Sequence, residues 1–543
     1  MEEKELFIEK LKPYILLAPP ICLVGGFYDF IGAYLLIYYG ILLLIMLKGS
    51  IKIRLSIGIM LLLLIEAGYI VSSFYALDKG MAYTGIIKYL WIIPAVLIVS
   101  LKINKETLSS CLPTIATLIC CAGFMAYFIP YIREYFYINN RFAGTFAYPN
   151  TFAIFLLICI ILLIDKKKLN LLSYAQYVIM LFGIGLSASR TVMVMTCFVL
   201  LWLFIRNKDK KLYIITAAFI LAAVVFILAA GSNSEVARIT HISLYESAFA
   251  GRLLYIKDAF FLLLKYPLGL GHMGYYYIQN SIQSGYYTVM YVHNDLMQLA
   301  LDTGIVFAIF YVAGIILLIK SKQIRADIKA AIVVLFAHGM LDFDMAFSAM
   351  LFIMLIFADG AKISRFKRLD KLSLGKAVKG IFVPLSILGM IMAIPLSAYK
   401  AGNIDFTLKM LPHHTQAQLE ALAIETDADA ADKLADDIIN HNKYCALAYY
   451  AKATVCDINQ DYDKMIEYGY RAIELDYFNV EEYYNYIGML YDGVVNGDYE
   501  AAEKCRKRLY QLPDIARKNL SKLGKLGKMI DDQPQLDEII ELK

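Results

Sequence analysis

A histidine stands at the start of an apolar segment that has the character of a membrane span. The segment 287–307 reads YTVMYVHNDLMQLALDTGIVF, with His293 and Asn294 ahead of its longest apolar stretch. A neutral imidazole titrates near physiological pH and can accept a proton from a hydroxyl group. His293 is therefore a candidate general base for a reaction in which a hydroxyl is the nucleophile.

Three further polar residues follow His293 at helical spacing. Asp295, Gln298 and Asp302 stand at i, i+3 and i+7, so a helix places them on one face, which must meet protein or a water-filled cavity. Asp295 and Gln298 alone also fit the D-x-x-Q spacing of a capping box. Capping does not account for His293 or for the deeper Asp302, and we expect Asp302 or Asn294 to orient the imidazole.

Three arginines are placed where apolar segments begin or end. Arg141 lies in NNRFAGTFAYPN, Arg190 in GLSASRT and Arg252 in GRLLYIKD, in parts of the chain that hold few other cations. A guanidinium group presents a planar fork of donors that suits phosphate oxygens, and it stays charged when partly buried. Each arginine taken alone also fits a cation that snorkels or bridges a loop. The three together favour an anion-binding site.

A second polar set occurs in the sequence AHGMLDFDMAF. It holds His338, Asp342 and Asp344, and a helix would place His338 and Asp342 on one face because they are four residues apart. These residues are candidates for a supporting role. No HExxH or other zinc pattern completes the set, and the nine cysteines show no CxxC spacing, so we expect no metal site.

The composition places these residues in a membrane protein. Of 543 residues, 60% are hydrophobic and 18% are charged, and the mean hydropathy is +0.59, which lies outside the range of soluble proteins. Apolar runs long enough to cross a bilayer, which takes about 17 to 25 helical residues, recur between Tyr14 and Ser397. We predict an all-α polytopic bundle of about 12 to 13 spans, near 13–27, 30–47, 55–75, 83–100, 109–130, 150–164, 172–187, 191–205, 212–230, 294–319, 327–341, 345–361 and 380–398.

The charges divide the chain into two parts and orient it. Residues 1–398 carry 35 Lys and Arg against 21 Asp and Glu, whereas residues 399–543 carry 17 against 26. Lys and Arg clusters, such as that at 320–329, fall on the side of the N-terminus, which predicts a cytoplasmic N-terminus. Thirteen spans then put the C-terminal part outside the cell membrane, together with the outward loops that hold His293 and the arginines. Nothing in the charge pattern indicates a nucleic-acid partner.

Two segments outside the spans have their own patterns. We expect the large loop at 231–292 to be a structured extracytoplasmic cap, because it is rich in aromatic and apolar residues. The tail at 399–543 is polar, and Tyr449–Ala453 is echoed by Tyr483–Ile487 at a period near that of tetratricopeptide helix pairs. An ordinary helical domain is the alternative for this tail.

Four sequence elements together resemble the O-antigen ligase and O-antigen polymerase superfamily over about residues 10–398. They are RFAGTFAYPN at 141–150, SASR at 187–190, GR...YPLGLG at 251–271 and VHNDLMQLALDTG at 292–304. The ligase-type pattern is His, then Asn, Ser or Gln, nine residues, Gly, two residues, and Gly, Thr or Tyr. His293, Asn294 and Gly304 fit it, whereas Phe307 departs at the last position. The tail is similar to the helical-repeat domains of some family members.

The resemblance implies a reaction and roles for the residues above. Members of the family transfer a glycan from a polyprenyl diphosphate carrier to an acceptor on the extracytoplasmic side, without a metal or other cofactor. Carried onto this chain, His293 is the base, assisted by Asp302. Arg190 and Arg252 are the diphosphate ligands, with Arg141 as a third. The resemblance does not assign Asn294, His338 and Asp342. We predict supporting roles for them because they are polar residues near the ends of apolar segments.

The sequence therefore predicts a multi-pass plasma-membrane or inner-membrane glycosyltransferase of cell-surface polysaccharide assembly. Its partners are a polyprenyl-diphosphate-linked glycan, a glycan, lipid or protein acceptor, the lipid bilayer, and a protein bound through the helical repeats of the tail. The alternatives are a flippase or transporter of the same lipid-linked glycan, and a protein O-oligosaccharyltransferase. A flippase needs polar groups through both leaflets, and the inner halves of the predicted spans hold few of them.

Overall fold

The structure is a computed structural model that describes residues 2–23, 30–48, 57–102, 105–164, 169–230, 247–358 and 376–542. It is 79% helical with almost no strand, which confirms the all-α prediction. The first part of the predicted loop, residues 231–246, lies outside the described residues, as do the predicted span ends at 24–27, 55–56 and 359–361.

Most of the described residues among the first 400 lie in helices. In chain order they are α1 (Glu2–Cys22), α2 (Ile31–Lys48), α3 (Ile57–Ser73), α4 (Lys79–Leu90), α5 (Ile92–Lys102), α6 (Lys105–Ala126), α7 (Pro130–Phe136), α8 (Pro149–Ile164), α9 (Leu171–Ser187), α10 (Arg190–Asn207), α11 (Lys210–Ala230), α12 (Ser247–Lys265), α13 (Gly274–Ile278), α14 (Asp295–Thr303), α15 (Ile305–Lys320), α16 (Ala326–Gly339), α17 (Ser348–Ala358) and α18 (Lys376–Lys400). A two-stranded hairpin, β1 (Tyr137–Ile138) and β2 (Arg141–Phe142), lies between α7 and α8.

Several of these helices have the apolar character of membrane spans. Within the described residues, Lys79–Ile98, Arg190–Asn207 and Val383–Lys400 combine the length and composition needed for a crossing. Shorter apolar helices of 10 to 17 residues, such as α8 and α9, coincide with other predicted spans. These helices support a membrane protein, whereas the number of crossings and their direction stay predictions.

The chain forms two compact units. Unit 1 comprises residues 1–66, 87–242 and 309–397, and unit 2 comprises 67–86, 243–308 and 398–543. The predicted division near residue 398 coincides with the last boundary between them. The described part of the large loop belongs to the same compact unit as the tail.

Unit 1 is organised around the helix α8. Every residue from Pro149 to Ile164 is buried, as expected for a helix that is apolar on all sides, and α8 packs against α6, α9, α10 and α16. The hairpin before it turns at Asn139 and Asn140, whose φ angles are +49° and +59°. Asparagine tolerates this left-handed backbone, so the INNR sequence makes a tight turn that presents Arg141 on the second strand.

The span predicted at 294–319 is two helices in the structure, so the prediction of one continuous helix is wrong. The helix is broken at Gly304, whose φ of +98° ends α14, and α15 begins at Ile305. A Cβ atom at Gly304 would lie 2.7 Å from the carbonyl oxygen of Leu268, so glycine is required for the close approach of the two segments. The residues that carry His293 and Asp302 are therefore a separate short helix and its leading loop.

The tail continues unit 2 as a series of helices. They are α19 (Ile404–Met410), α20 (Thr415–Ile424), α21 (Ala428–His441), α22 (Ala446–Ile458), α23 (Tyr462–Leu475), α24 (Val480–Asn496), α25 (Tyr499–Leu520) and α26 (Asp537–Ile540). The two echoed tyrosine segments fall on α22 and α24, and Asp461 and Asp498 cap the helices that follow each. The sequence echo thus marks equivalent helices, and their assignment as tetratricopeptide repeats stays a prediction.

The end of the tail packs against the described part of the large loop within unit 2. The backbone N–H of Gly524 donates to the Ser284 carbonyl at 2.9 Å, and the Tyr477 hydroxyl donates to the carbonyl of Gln283. Ile530 completes a small apolar cluster with Leu254 and Tyr287. The tail and this loop are therefore joined by packing as well as by chain connectivity.

Candidate active site

The loop before α14 holds His293 in a half-buried position at the start of a capped helix. Asn294 is the N-cap, and its side-chain oxygen accepts from the backbone N–H of Met297 at 2.8 Å. Gln298 reaches back so that its Oε1 accepts from the N–H of Val292 at 2.8 Å. The cap therefore begins one residue earlier than the predicted D-x-x-Q pair, and it fixes the backbone on both sides of His293.

Asp302 lies at the other end of α14, where it is buried. Its Oδ2 accepts from the Tyr69 hydroxyl at 2.8 Å, and its Oδ1 accepts from Nε2 of Gln298 at 2.8 Å. Nine residues of helix span roughly 13 Å, which is too far for a direct bond between Asp302 and His293. Asp302 therefore does not bond to His293. It accepts a hydrogen bond from Gln298, which in turn accepts one from the backbone N–H of Val292, the residue before His293.

A glycine-rich loop brings a second histidine beside Asp302. Leu270 donates its N–H to the carbonyl of Leu301 at 2.6 Å, and Gly271 donates to that of Asp302 at 3.1 Å. The next residue, His272, is buried with Nδ1 3.8 Å from Oδ2 of Asp302. Our sequence reasoning did not assign His272 or Tyr69 to the site, although the YPLGLGH motif was an available signal for the histidine.

Tyr255 of α12 links the predicted residues Arg252 and His293. Its ring centroid is 5.5 Å from that of His293 and 4.6 Å from that of Tyr287. Arg252 precedes Tyr255 by one helical turn and is half-buried. Burial and the Asp532 carboxylate raise the pKa of Tyr255, whereas Arg252 opposes this rise, so the guanidinium is close enough to act on the ring.

A buried carboxylate fixes the loop that carries Tyr287. Asp258, on the same helix as Tyr255, accepts from the Ser284 N–H at 2.7 Å, from its hydroxyl at 2.6 Å and from the Tyr287 hydroxyl at 3.0 Å. These three donors satisfy both carboxylate oxygens. The aromatic contact to His293 therefore rests on a rigid support that the sequence did not reveal.

Unit 1 holds the other predicted residues in a network of its own. Arg141 donates from Nε to the carbonyl of Ser187 at 2.8 Å and from Nη2 to Oδ1 of Asn150 at 2.6 Å. The Asn150 amide donates in turn to Oδ2 of Asp342 at 2.8 Å. Arg141 and Asp342 are thus brought together through Asn150, although the sequence placed them far apart.

The contact of Arg141 also reaches the turn that carries Arg190. Ser187 ends α9, Ala188 adopts a left-handed φ of +48°, and Arg190 is the first residue of α10, where it is half-buried. The motifs RFAGTFAYPN and SASR therefore form one corner of unit 1. Arg141 is therefore bonded to the turn that leads into the helix of Arg190.

His338 does not share a helical face with Asp342, because α16 ends at Gly339. Its Nδ1 lies 2.6 Å from Oδ2 of Asp344, and Oδ1 of Asp344 accepts from the Thr151 hydroxyl at 2.8 Å. Both His338 and Asp344 are fully buried. The supporting pair predicted as His338 and Asp342 is therefore centred on His338 and Asp344, and Asp342 bonds to Tyr148 and Asn150 instead.

Part of the chain is similar to a known protein family. Residues 175–312 match the family described as O-antigen ligase. This segment is similar to the O-antigen ligase family. This confirms the resemblance over the matched residues and supports a membrane glycan-transferring function of ligase or polymerase type. A search of curated proteins found no match to the chain.

The O-antigen ligase match separates the predicted site residues into two groups. Those inside 175–312 are Arg190, Arg252, His293, Asn294 and Asp302, and those outside are Arg141, His338 and Asp342. His272 and Tyr255, which the structure adds, also lie inside the matched segment. The polar groups of α12 and α14 thus belong to the part of the chain that the family defines.

A cavity of about 580 Å³ lies in unit 2. Most of the residues that line it are outside the segment that matches the O-antigen ligase family. Its cationic side chains are Lys265, Arg471, Arg508, Lys518 and Lys522. Tyr444 and Tyr470 also line it, and tyrosine rings offer flat surfaces of the kind on which sugar rings pack. The cavity has the chemistry to hold an anionic or hydroxyl-rich chain.

Proposed function

We propose that the protein is an integral membrane glycosyltransferase that transfers or polymerises a polyprenyl-diphosphate-linked oligosaccharide. The observation that carries this proposal is the placement of His293 at a capped helix start, beside Tyr255 and near Arg252, inside the O-antigen ligase segment. A half-buried imidazole on a rigid backbone can meet a substrate hydroxyl. The helix cap supplies the rigidity that a general base needs.

The reaction needs one proton acceptor and one stabilised leaving group. His293 takes the proton of the acceptor hydroxyl as its oxygen attacks the anomeric carbon of the donor sugar. The bond from that carbon to the diphosphate oxygen breaks, and the polyprenyl diphosphate leaves with the electron pair. Because the new charge forms on phosphate oxygens, fixed guanidinium groups lower the barrier at that point. No metal is required by this scheme.

We assign the diphosphate to Arg252 and Arg190, with Arg141 as the third ligand. Arg252 lies one turn from the tyrosine that contacts His293, so leaving-group stabilisation and proton transfer can occur close together. Arg141 reaches the same turn as Arg190, and its position is fixed by Asn150 and Asp342. Asp342 and His338 then act as supports for this corner rather than as contacts to substrate.

Asp302 is a positioning residue in this proposal. It holds Gln298, which holds the backbone N–H of Val292 and so the residue before His293. Asn294 contributes through the helix cap. Tyr69 and His272 complete the surroundings of the Asp302 carboxylate and restrict its rotation.

The charge pattern supports the extracytoplasmic face as the side of reaction. With a cytoplasmic N-terminus, the loops carrying the arginines and His293 face outward, together with the tail. We propose that the tail engages the glycan through the cationic cavity or recruits a protein partner through its repeated helices.

The test uses the purified chain reconstituted into liposomes with a polyprenyl-diphosphate-linked oligosaccharide and an acceptor glycan. We expect release of free polyprenyl diphosphate in step with glycan transfer. Movement of the intact donor across the bilayer without release would instead show a flippase. Attachment to a protein hydroxyl in place of the acceptor glycan would show a protein O-oligosaccharyltransferase.

The products in cells distinguish polymerase from ligase. Deletion of the gene is expected to leave one of two precursors on the carrier lipid. Single repeat units accumulate when a polymerase is lost, whereas full-length chains remain unattached when a ligase is lost. An unchanged glycan profile would contradict both forms of the proposal.

A further inference from the structure

The start of the tail brings together three side chains of metal-binding types. They are His413, Asp437 and His441, and one potential ligand atom from each lies within 4.8 Å of the other two. Nδ1 of His413 is already 3.2 Å from Oδ2 of Asp437. Two imidazoles and one carboxylate form a donor set typical of zinc sites in proteins.

The local structure explains how these residues converge. Asp437 and His441 are four residues apart on α21, so they lie on one face of the helix. His413 belongs to the turn before α20, and its carbonyl lies against Gly80, where a Cβ atom would come within 1.7 Å. The backbone of His413 is therefore fixed, while its side chain is 62% exposed and can adjust.

The second observation concerns His441, which is nine-tenths buried. Its Nε2 lies 3.1 Å from the hydroxyl oxygen of Thr415, whereas its Nδ1 is buried without a hydrogen-bond partner among the described residues. A buried ring nitrogen with no partner carries a free-energy cost that a ligand would remove.

The hydrogen bonds around Thr415 determine which nitrogen of His441 carries the proton. Thr415 lies 2.8 Å from Oδ1 of Asp78, and that carboxylate also accepts from Met81 N–H and from the Asn442 amide. The threonine has one hydroxyl proton, which goes to the carboxylate because a charged acceptor makes the stronger bond. Nε2 of His441 must then donate to the threonine oxygen, and Nδ1 keeps a lone pair.

This arrangement matches the way proteins prepare a metal-binding histidine. The nitrogen that does not face the metal donates its proton to an outer oxygen, which fixes the tautomer and the direction of the ring. Here the outer groups are Thr415 and, beyond it, Asp78.

We propose that His413, Asp437 and His441 bind one divalent ion of the zinc class. Binding requires ligand atoms about 3.3 Å apart around a metal at about 2.0 to 2.1 Å. The ligand atoms lie within 4.8 Å of one another, so the side chains of His413 and Asp437 have to move by up to about 1.5 Å. The ion would link the turn before α20 to the end of α21. This site lies in the tail and is independent of the proposed transfer reaction.

The test is metal binding by the full chain in detergent, purified with a tag that contains no histidine and stripped with chelator. Titration with Zn²⁺ alone is expected to show one site per chain, and Co²⁺ is expected to give a visible absorption band of a four- or five-coordinate ion. His413→Ala should weaken Zn²⁺ binding at least tenfold and remove the band, while the helical content stays unchanged. Asp437→Asn should weaken binding in the same way.

Asp429→Asn is the matched control, because it removes one exposed carboxylate from the first turn of the same helix. We expect it to bind Zn²⁺ as the natural chain does. Equal affinities in the His413→Ala and natural chains would overturn the proposal, as would equal losses in the Asp429 and Asp437 variants. Absence of Zn²⁺ binding by the natural chain would overturn it as well.

Discussion

The polar clusters of unit 1 and unit 2 contain similar residue types but are built in different ways. In unit 1, His338 and Asp344 are fully buried and bonded to each other, and Thr151 also donates to Asp344. In unit 2, His293 is half-buried at the open end of a helix, and its support comes from the backbone and from a ring contact. The same imidazole group thus serves as a structural bridge in one place and as a reactive candidate in the other.

The difference shows that the burial of a polar side chain and its hydrogen-bond partners indicate its role better than its residue type does. A histidine whose nitrogen is engaged by a buried carboxylate stabilises the fold, and it has little freedom to meet a substrate. A half-buried histidine at the start of a helix, such as His293, is placed where a substrate can approach it. Variants of the two kinds should therefore fail in opposite ways.

The largest effect is expected for His293→Ala. Loss of the general base should lower transfer in the liposome assay by at least about 100-fold, which is the usual contribution of such a group. The amount of inserted protein and its thermal unfolding should stay as in the natural chain, because the helix cap is made by Asn294. Near-normal transfer by this variant would remove His293 from the mechanism.

His338→Ala should give the reverse result. It takes the histidine partner from the buried carboxylate of Asp344 and leaves that carboxylate with the Thr151 hydroxyl, which costs about 1 to 3 kcal/mol, so the inserted protein should unfold at a lower temperature. The control is the double variant His338→Leu with Asp344→Leu, which removes both buried polar side chains and should recover most of the stability. A stable but inactive His338→Ala protein would instead give this residue a part in the chemistry.

Glu482 of α24 extends the comparison, because it is a buried carboxylate without a cationic partner among the described residues. Burial, with the charges of Asp476 and Glu481, raises the pKa of Glu482 to about 7. The folded state therefore binds more protons than the unfolded state between about pH 4.5 and 7, and stability falls as the pH rises through this window. Glu482→Gln should stabilise α24 by roughly 2 kcal/mol at pH 8 and much less at pH 4.5.

Hydrogen exchange of residues 480–496 at both pH values measures this change. Glu481→Gln is the comparison variant: it removes one of the two charges that raise the pKa of Glu482, and it should increase protection at pH 8 less than Glu482→Gln does. Equal protection of the Glu482 variant and the natural chain at pH 8 would contradict the assignment of a raised pKa.

The smallest effect is expected for Gln298→Leu, which removes the link between Asp302 and the backbone before His293. We expect kcat to fall about tenfold with little change in KM for the donor, a loss of about 1.4 kcal/mol. Combined with His293→Ala, it should cause no further loss, because both act on the same proton transfer. Additive losses would place Gln298 in a separate role.

Parts of this architecture could be predicted from the sequence, and the reason is periodicity. Long apolar runs predicted the helices of unit 1, such as α8. The echo of Asp461 and Asp498 marked equivalent helix starts in the tail. Each of these signals is local, so neighbouring residues carry all the information.

Other parts depend on contacts between distant segments. The break at Gly304 was missed because apolar composition continues across it, and only the approach of Leu268 requires a left-handed glycine there. The pairing of Tyr69 with Asp302 joins residues 233 positions apart, and no spacing rule reports it. The convergence of His413 with Asp437 and His441 was missed for the same reason, although Asp-x-x-x-His on a helix was a partial signal.

The composition of unit 2 from residues 67–86, 243–308 and 398–543 has a consequence for biosynthesis. The loop that fixes Tyr287, and through it the ring beside His293, packs against Ile530 near the end of the chain. Residues up to Ile530 must therefore be synthesised before this neighbourhood can close. A nascent chain that stalls before Ile530 would hold its apolar helices without the packed surroundings of the proposed site.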